Sequence, residues 1–83
     1  MPRILIVEDD PKLASLLASD FELEAFEVII ARDGVQAVEM AKRDKPDVII
    51  LDIMLPRMSG YEVRRTLRKD KSLIPILMLT AKG

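Results

Sequence analysis

The sequence contains no cysteine, no histidine and no tryptophan. Without thiols there is no disulfide framework, no thiolate nucleophile and no Cys-type zinc site. Without imidazoles, histidine general bases, histidine–metal sites and phosphohistidine formation on this chain are excluded. Aromatic residues amount to 4%, one Tyr and two Phe, so the core must be built from Ile, Leu, Val, Met and Ala. No sign of charge dominates: 13 basic against 14 acidic residues give a net charge of −1. That balance argues against a nucleic-acid-binding module, which usually has a strongly basic face. No apolar run approaches the roughly 18–20 residues of a membrane span. Met1-Pro2-Arg3, with four apolar residues before Glu8, does not read as a signal peptide. A cytoplasmic location is the resulting expectation. What is present, 83 residues with 49% hydrophobic and 33% charged, fits one small globular domain at most.

Four apolar runs stand out: Ile4–Val7, Val28–Ala31, Val48–Leu51 and Ile76–Leu79. Each is continuous rather than alternating, which predicts strands buried on both faces, as in a parallel sheet. The connections, roughly 16–24 residues long, are too long for hairpins and suit strand–helix–strand crossovers. The first opens with Asp10-Pro11, an N-cap followed by a first-turn proline. Leu13, Leu16, Leu17 and Phe21 then mark the expected apolar face of a helix. The second opens at Asp33-Gly34, with Val35, Ala37, Val38 and Ala41 facing inward, and stops at Pro46-Asp47. The third opens near Ser59-Gly60, with Val63 and Leu67 inward and Arg64, Arg65, Arg68 and Lys69 outward; the charge run from Arg64 to Lys71 reads as a solvated helix face. Pro75 stands at the mouth of the fourth strand, where a missing N–H costs little.

The expected fold class is α/β: four strands alternating with three helices in a doubly wound parallel sheet of order 2-1-3-4. That order places the first and third strands side by side where the winding reverses, and ligands in such sheets bind beyond their carboxyl ends. Those ends are acidic: Glu8-Asp9-Asp10 after the first strand and Asp52 after the third. Asp10 alone reads as a helix cap, but Glu8, Asp9 and Asp52 together form a carboxylate cluster. Clustered carboxylates either raise a pKa or hold a cation. With oxygen ligands only, Mg²⁺ fits best, because it keeps several waters and meets substrate phosphate. Asp52 beside such an ion suits nucleophilic attack on phosphorus. Thr80, after the fourth strand, can donate its hydroxyl to a phosphoryl oxygen there, and Ala81 is small enough to leave the approach open. An alternative reading of Thr80 is a hydroxyl that caps the following turn.

Four blocks now stand in register: Ile4-Leu5-Ile6-Val7-Glu8-Asp9-Asp10, Pro46 through Pro56 with Asp52 inside it, Ser59-Gly60, and Pro75 through Ala81. Together they resemble the signature of bacterial two-component response-regulator receiver domains, over the whole chain. The resemblance implies a flavodoxin-like fold. It implies that Asp52 is the phosphoacceptor, that Glu8 and Asp9 hold Mg²⁺, with Asp9 the direct ligand and Glu8 acting through water, and that Met54 offers its backbone carbonyl to the metal. Thr80 matches the switch hydroxyl. The implied donor is a phosphohistidine on a histidine kinase, and the chain itself is not expected to be an enzyme. Asp52-Ile53-Met54-Leu55-Pro56 with Leu79-Thr80-Ala81-Lys82-Gly83 resembles the transcription-factor branch, whose members carry a winged-helix DNA-binding domain after the receiver.

Departures from the family pattern shape the remaining expectations. A complete receiver continues through a fourth helix, a fifth strand and a fifth helix, so residues 1–83 are expected to be a truncated receiver domain. The fifth-strand lysine that pairs with the phosphoryl group has no counterpart, and Lys82 does not replace it. Ala25 stands where the family often has Gly. If φ is positive there, Ala carries a modest strain. Such a chain is expected to self-associate through the open edge of the fourth strand and the uncovered sheet face. The alternative function is therefore a chemically incompetent receiver fragment acting as a self-association or scaffold module. A phosphohydrolase with an Asp nucleophile is disfavoured, because the position two residues after Asp52 is Met54 rather than a second Asp.

Overall fold

The computed structural model describes every residue except Met54, Pro56 and residues 80–83. In chain order the elements are β1 (Arg3–Val7), α1 (Pro11–Leu23), β2 (Glu27–Ala31), α2 (Gly34–Asp44), β3 (Val48–Asp52), α3 (Gly60–Lys69) and β4 (Ile76–Leu79). Each helix begins where a short polar side chain can take up a free N–H. Asp10 accepts from the Lys12 N–H at 3.0 Å, Asp33 from that of Gln36 at 2.8 Å and Ser59 from that of Glu62 at 3.2 Å. Such a cap typically stabilises by about 1 kcal/mol.

The helix ends are made without glycine. At the end of α1 the Phe26 N–H donates to the Phe21 carbonyl at 3.1 Å and the Ala25 N–H to that of Glu22 at 3.0 Å. This is a Schellman motif, which puts Ala25 in the left-handed region at φ 68°. The apolar contact that accompanies the motif is a pair of rings: Phe21 and Phe26 meet edge-to-face, 5.9 Å between centroids. The strain expected at Ala25 is therefore present. Lys71 at φ 63° ends α3 in the same way, with the Ser72 N–H donating to Leu67 at 2.9 Å.

All strands are parallel, in the order β2-β1-β3-β4. Leu5, Val7, Ile49 and Leu51 point to the face covered by α2 and α3, and pack with Ala37, Ala41, Val63 and Leu67. Ile4, Ile6 and Ile50 point to the other face, against Leu17, Ala18 and Phe21 of α1. Two sequence expectations need correction. Leu13 and Leu16 do not belong to the buried stripe of α1, being 43% and 65% exposed. The helix instead seats Ala14, Leu17, Ala18 and Phe21, because small residues let it lie close to the sheet. Continuous burial holds only for β1 and β3. The outer strands are partly covered, and β4 alternates: Leu77 is 56% exposed while Met78 packs on the α3 side. A strand sequence states apolarity; its neighbours decide how much of it is covered.

Candidate functional site

In the parallel register Val7 stands opposite Leu51, so the next residues, Glu8 and Asp52, leave the carboxyl ends of adjacent strands together. By strand alternation Glu8 continues the row of Ile4 and Ile6, and Asp52 continues that of Ile50. The Glu8 N–H donates to the Ala31 carbonyl at 3.0 Å, which holds the end of β1 in place. One carboxylate oxygen from each of Glu8, Asp9 and Asp52 lies within 4.8 Å of the others. Glu8 is 6% exposed, Asp52 is half-buried and Asp9 is exposed.

Burial pushes the Glu8 carboxyl above the usual glutamate range; the Asp10 N–H, donating to it at 3.1 Å, opposes this. A hydrogen bond with Asp9 and the negative charges of Asp52 and Asp9 push it further up. Three carboxylates this close repel one another unless a proton or a cation intervenes. The donor set is all oxygen, partly buried and open on the Asp9 side, which fits a hard divalent cation that retains water.

The start of α3 presses on the same rim. A Cβ at Gly60 would lie 2.6 Å from the Asp52 carbonyl oxygen, and the Gly60 N–H donates to the Ile53 carbonyl at 2.9 Å. Only a residue without a side chain fits there, so Gly60 lets α3 lock the backbone that carries Asp52. Sequence reasoning read Ser59-Gly60 as a helix start and as part of the family resemblance, without a packing role; glycine directly after an N-cap was the available signal. The Arg57 guanidinium lies 3.8 Å from the Asp33 carboxylate.

Of the expected site residues, Glu8, Asp9 and Asp52 are brought together. Asp10 is turned to capping α1. Met54 and Thr80 lie outside the described residues, as does Lys82.

Residues 4–83 match the family model described as the response regulator receiver domain. The alkaline phosphatase synthesis transcriptional regulatory protein PhoP of Bacillus subtilis is 46% identical over 80 residues, covering 96% of this chain and 33% of PhoP. The DNA-binding response regulator MtrA of Mycolicibacterium smegmatis is also 46% identical, over 96% of this chain and 35% of MtrA. The chain thus spans about a third of the length of these relatives. Among solved structures, the response regulator TrrA of Thermotoga maritima, in complex with Mg²⁺-BeF, superposes with a TM-score of 0.94 at 37% identity. The match covers 100% of this chain and 72% of that one.

Proposed function

The chain belongs to the response-regulator receiver domain family, and from that premise we propose that Asp52 is a phosphoacceptor. It would take a phosphoryl group from a phosphohistidine of a partner histidine kinase, in a Mg²⁺-dependent reaction that switches an output, transcription in the relatives. The observation that carries this reading is the convergence of Glu8, Asp9 and Asp52 at the carboxyl ends of β1 and β3. Glu8, Asp9 and Asp52 would hold the ion, which when bound offsets negative charge on the phosphoryl oxygens.

The chain's own part begins with Asp52. A carboxylate oxygen attacks phosphorus, an O–P bond forms, the P–N bond to the donor imidazole breaks, and the imidazole nitrogen takes up a proton. Gly60 and the β3 register fix the backbone that carries that carboxylate. Asp9 is exposed and suits direct ligation, while Glu8 is buried and suits contact through water. Met54, through its carbonyl, and Thr80, through its hydroxyl, would complete the site. The acceptor is consumed once per event, so the chain acts as a switch component and not as an enzyme. The near-zero net charge supports placing DNA contacts in a part of the longer regulators other than this chain.

The test is intact-mass analysis after incubation with a small phosphoryl donor and Mg²⁺. The expected result is a gain of one phosphoryl group, lost on chelation of the metal and in Asp52→Asn. Uptake that survives Asp52→Asn rejects the assignment. The second reading, a self-association module, is favoured by β4, an outer strand of the described sheet whose Leu77 and Leu79 are exposed. No phosphoryl uptake, together with oligomers dispersed by Leu77→Lys, would select it.

A further inference from the structure

Two helix faces carry charge that no ion pair neutralises among the described residues, and they lie on opposite sides of the sheet. On α3, Tyr61, Arg64, Arg65 and Arg68 line one shallow groove of about 240 Å³. Their spacing of three, four and seven puts them on one stripe. Arg64 and Arg68 are a like-charged i, i+4 pair, which by itself weakens a helix. None of the three arginines has an ion pair among the described residues, and Asp70 at the helix end is already held by Lys42 at 2.8 Å. Arg68 has a local task, donating to the Ser72 carbonyl at 2.8 Å. Arg64 and Arg65 have none among the described residues.

On α1 the outward stripe is Leu16, Asp20 and Leu23, with Glu24 beside it. Leu23 is 85% exposed, more than Leu16. Asp20 and Glu24 sit toward the carboxyl end of the helix, where the macrodipole disfavours acids, and no basic residue stands in the last turn. Neither has an ion pair among the described residues. A shallow groove lined by Lys12, Ser15, Leu16 and Ser19 runs along the amino-terminal half of the same helix.

We infer that this chain associates head-to-tail with a second copy of itself, the α3 stripe of one copy packing on the α1 stripe of the next. The two surfaces match in chemistry and in length. Each stripe spans about two helical turns, roughly 12 Å. The Tyr61 ring and the arginine stems cover the exposed leucines, while the guanidiniums pair with Asp20 and Glu24. Lys12 at the amino end of α1 sets the polarity: it repels the arginine end, so Tyr61 lies toward Leu16 and Arg68 toward Glu24. Within one copy α1 and α3 are separated by the sheet and cannot meet. The contact is therefore heterologous and builds open chains of copies rather than a closed dimer. It uses neither the β4 edge nor the acidic rim.

Sedimentation velocity on the 83-residue chain tests this. The average mass should rise with concentration, without a plateau at dimer, at ~0.02 M salt and return to monomer near ~0.5 M, because the pairs are surface charges. Arg64→Gln/Arg65→Gln and Asp20→Asn/Glu24→Gln should each weaken association about tenfold or more. All four positions are exposed, and circular dichroism confirms that the variants fold. An equal mixture of the two variants should form a dimer that does not grow, since one intact α1 stripe meets one intact α3 stripe. A chain that stays monomeric at low salt overturns the inference. So does a mixture that stays monomeric, or assembly that persists in both variants and is dispersed by Leu77→Lys instead. It also fails if random duplex DNA or a glutamate-rich peptide occupies Arg64 and Arg65 of a chain that does not self-associate.

Discussion

The two faces of the sheet are made from the same aliphatic residue types, yet they are finished differently. The α2/α3 face closes a cluster in which Leu5, Ile49, Leu51 and Leu67 are fully buried. The α1 face buries Ile4, Ile6 and Ile50 against one helix and leaves Leu77 and Leu79 of β4 in contact with solvent. Each fully buried Leu or Ile side chain contributes about 1.5–3 kcal/mol relative to an exposed one. The folding free energy is therefore concentrated on one face. Glu8 and Asp52 of the candidate site continue the rows of the other, less covered one. Precision at the site depends on how firmly the well-packed side grips the backbone of β3.

The contrast can be broken by truncating one residue on each face. Leu5→Ala should lower the unfolding free energy by about 3 kcal/mol, because the cavity lies inside the closed cluster. Leu77→Ala should change it by less than about 0.5 kcal/mol. Urea denaturation measures both, and equal losses would refute the asymmetry. Next in size is Gly60→Ala, which places a methyl against the Asp52 carbonyl. It should cost about 2 kcal/mol and weaken the proposed Mg²⁺ binding by displacing β3. Unchanged metal affinity in that variant would show that α3 does not hold the rim.

Glu8 provides a smaller, pH-dependent effect. Its carboxyl titrates above the ordinary glutamate range when folded, chiefly through burial. Between the unfolded value and that raised value, the folded chain binds the additional proton, so stability falls as pH rises through this window. Glu8→Gln should remove the fall and raise the metal-free melting temperature at neutral pH. Thermal scans from acid to neutral pH would show it, and a steeper fall in the variant would overturn the assignment. Another small effect concerns α1, which covers the thinner face. Ala25→Gly should relieve the left-handed strain at the end of α1 and stabilise by about 0.5–1 kcal/mol. A loss of stability would mean that the unfolded chain's gain in freedom outweighs the strain.

Much of the fold was legible because its signals are local. Asp10, Asp33 and Ser59 were placed as helix starts from residue chemistry alone, and each caps the expected helix. The four aliphatic runs became the four strands to within a residue. The inward face of α1 is harder to read, because leucines outnumber alanines in the helix as a whole and hydrophobicity is not burial. Close approach to the sheet favoured Ala14 and Ala18, and left Leu16 in solvent. The role of Gly60 was invisible for a similar reason: the atom it makes room for, the Asp52 carbonyl oxygen, belongs to another element.

By itself the sequence determined the order of elements, the caps that begin each helix and the acidic residues that end β1 and β3. These follow from interactions among residues a few positions apart. Only the tertiary structure decided how close the expected cluster of Glu8, Asp9 and Asp52 is, within 4.8 Å, that Glu8 is the buried member, and that α1 and α3 present opposite charges on opposite faces. Burial and proximity are properties of what neighbouring elements cover, and a strand or helix does not carry its neighbours in its own residues.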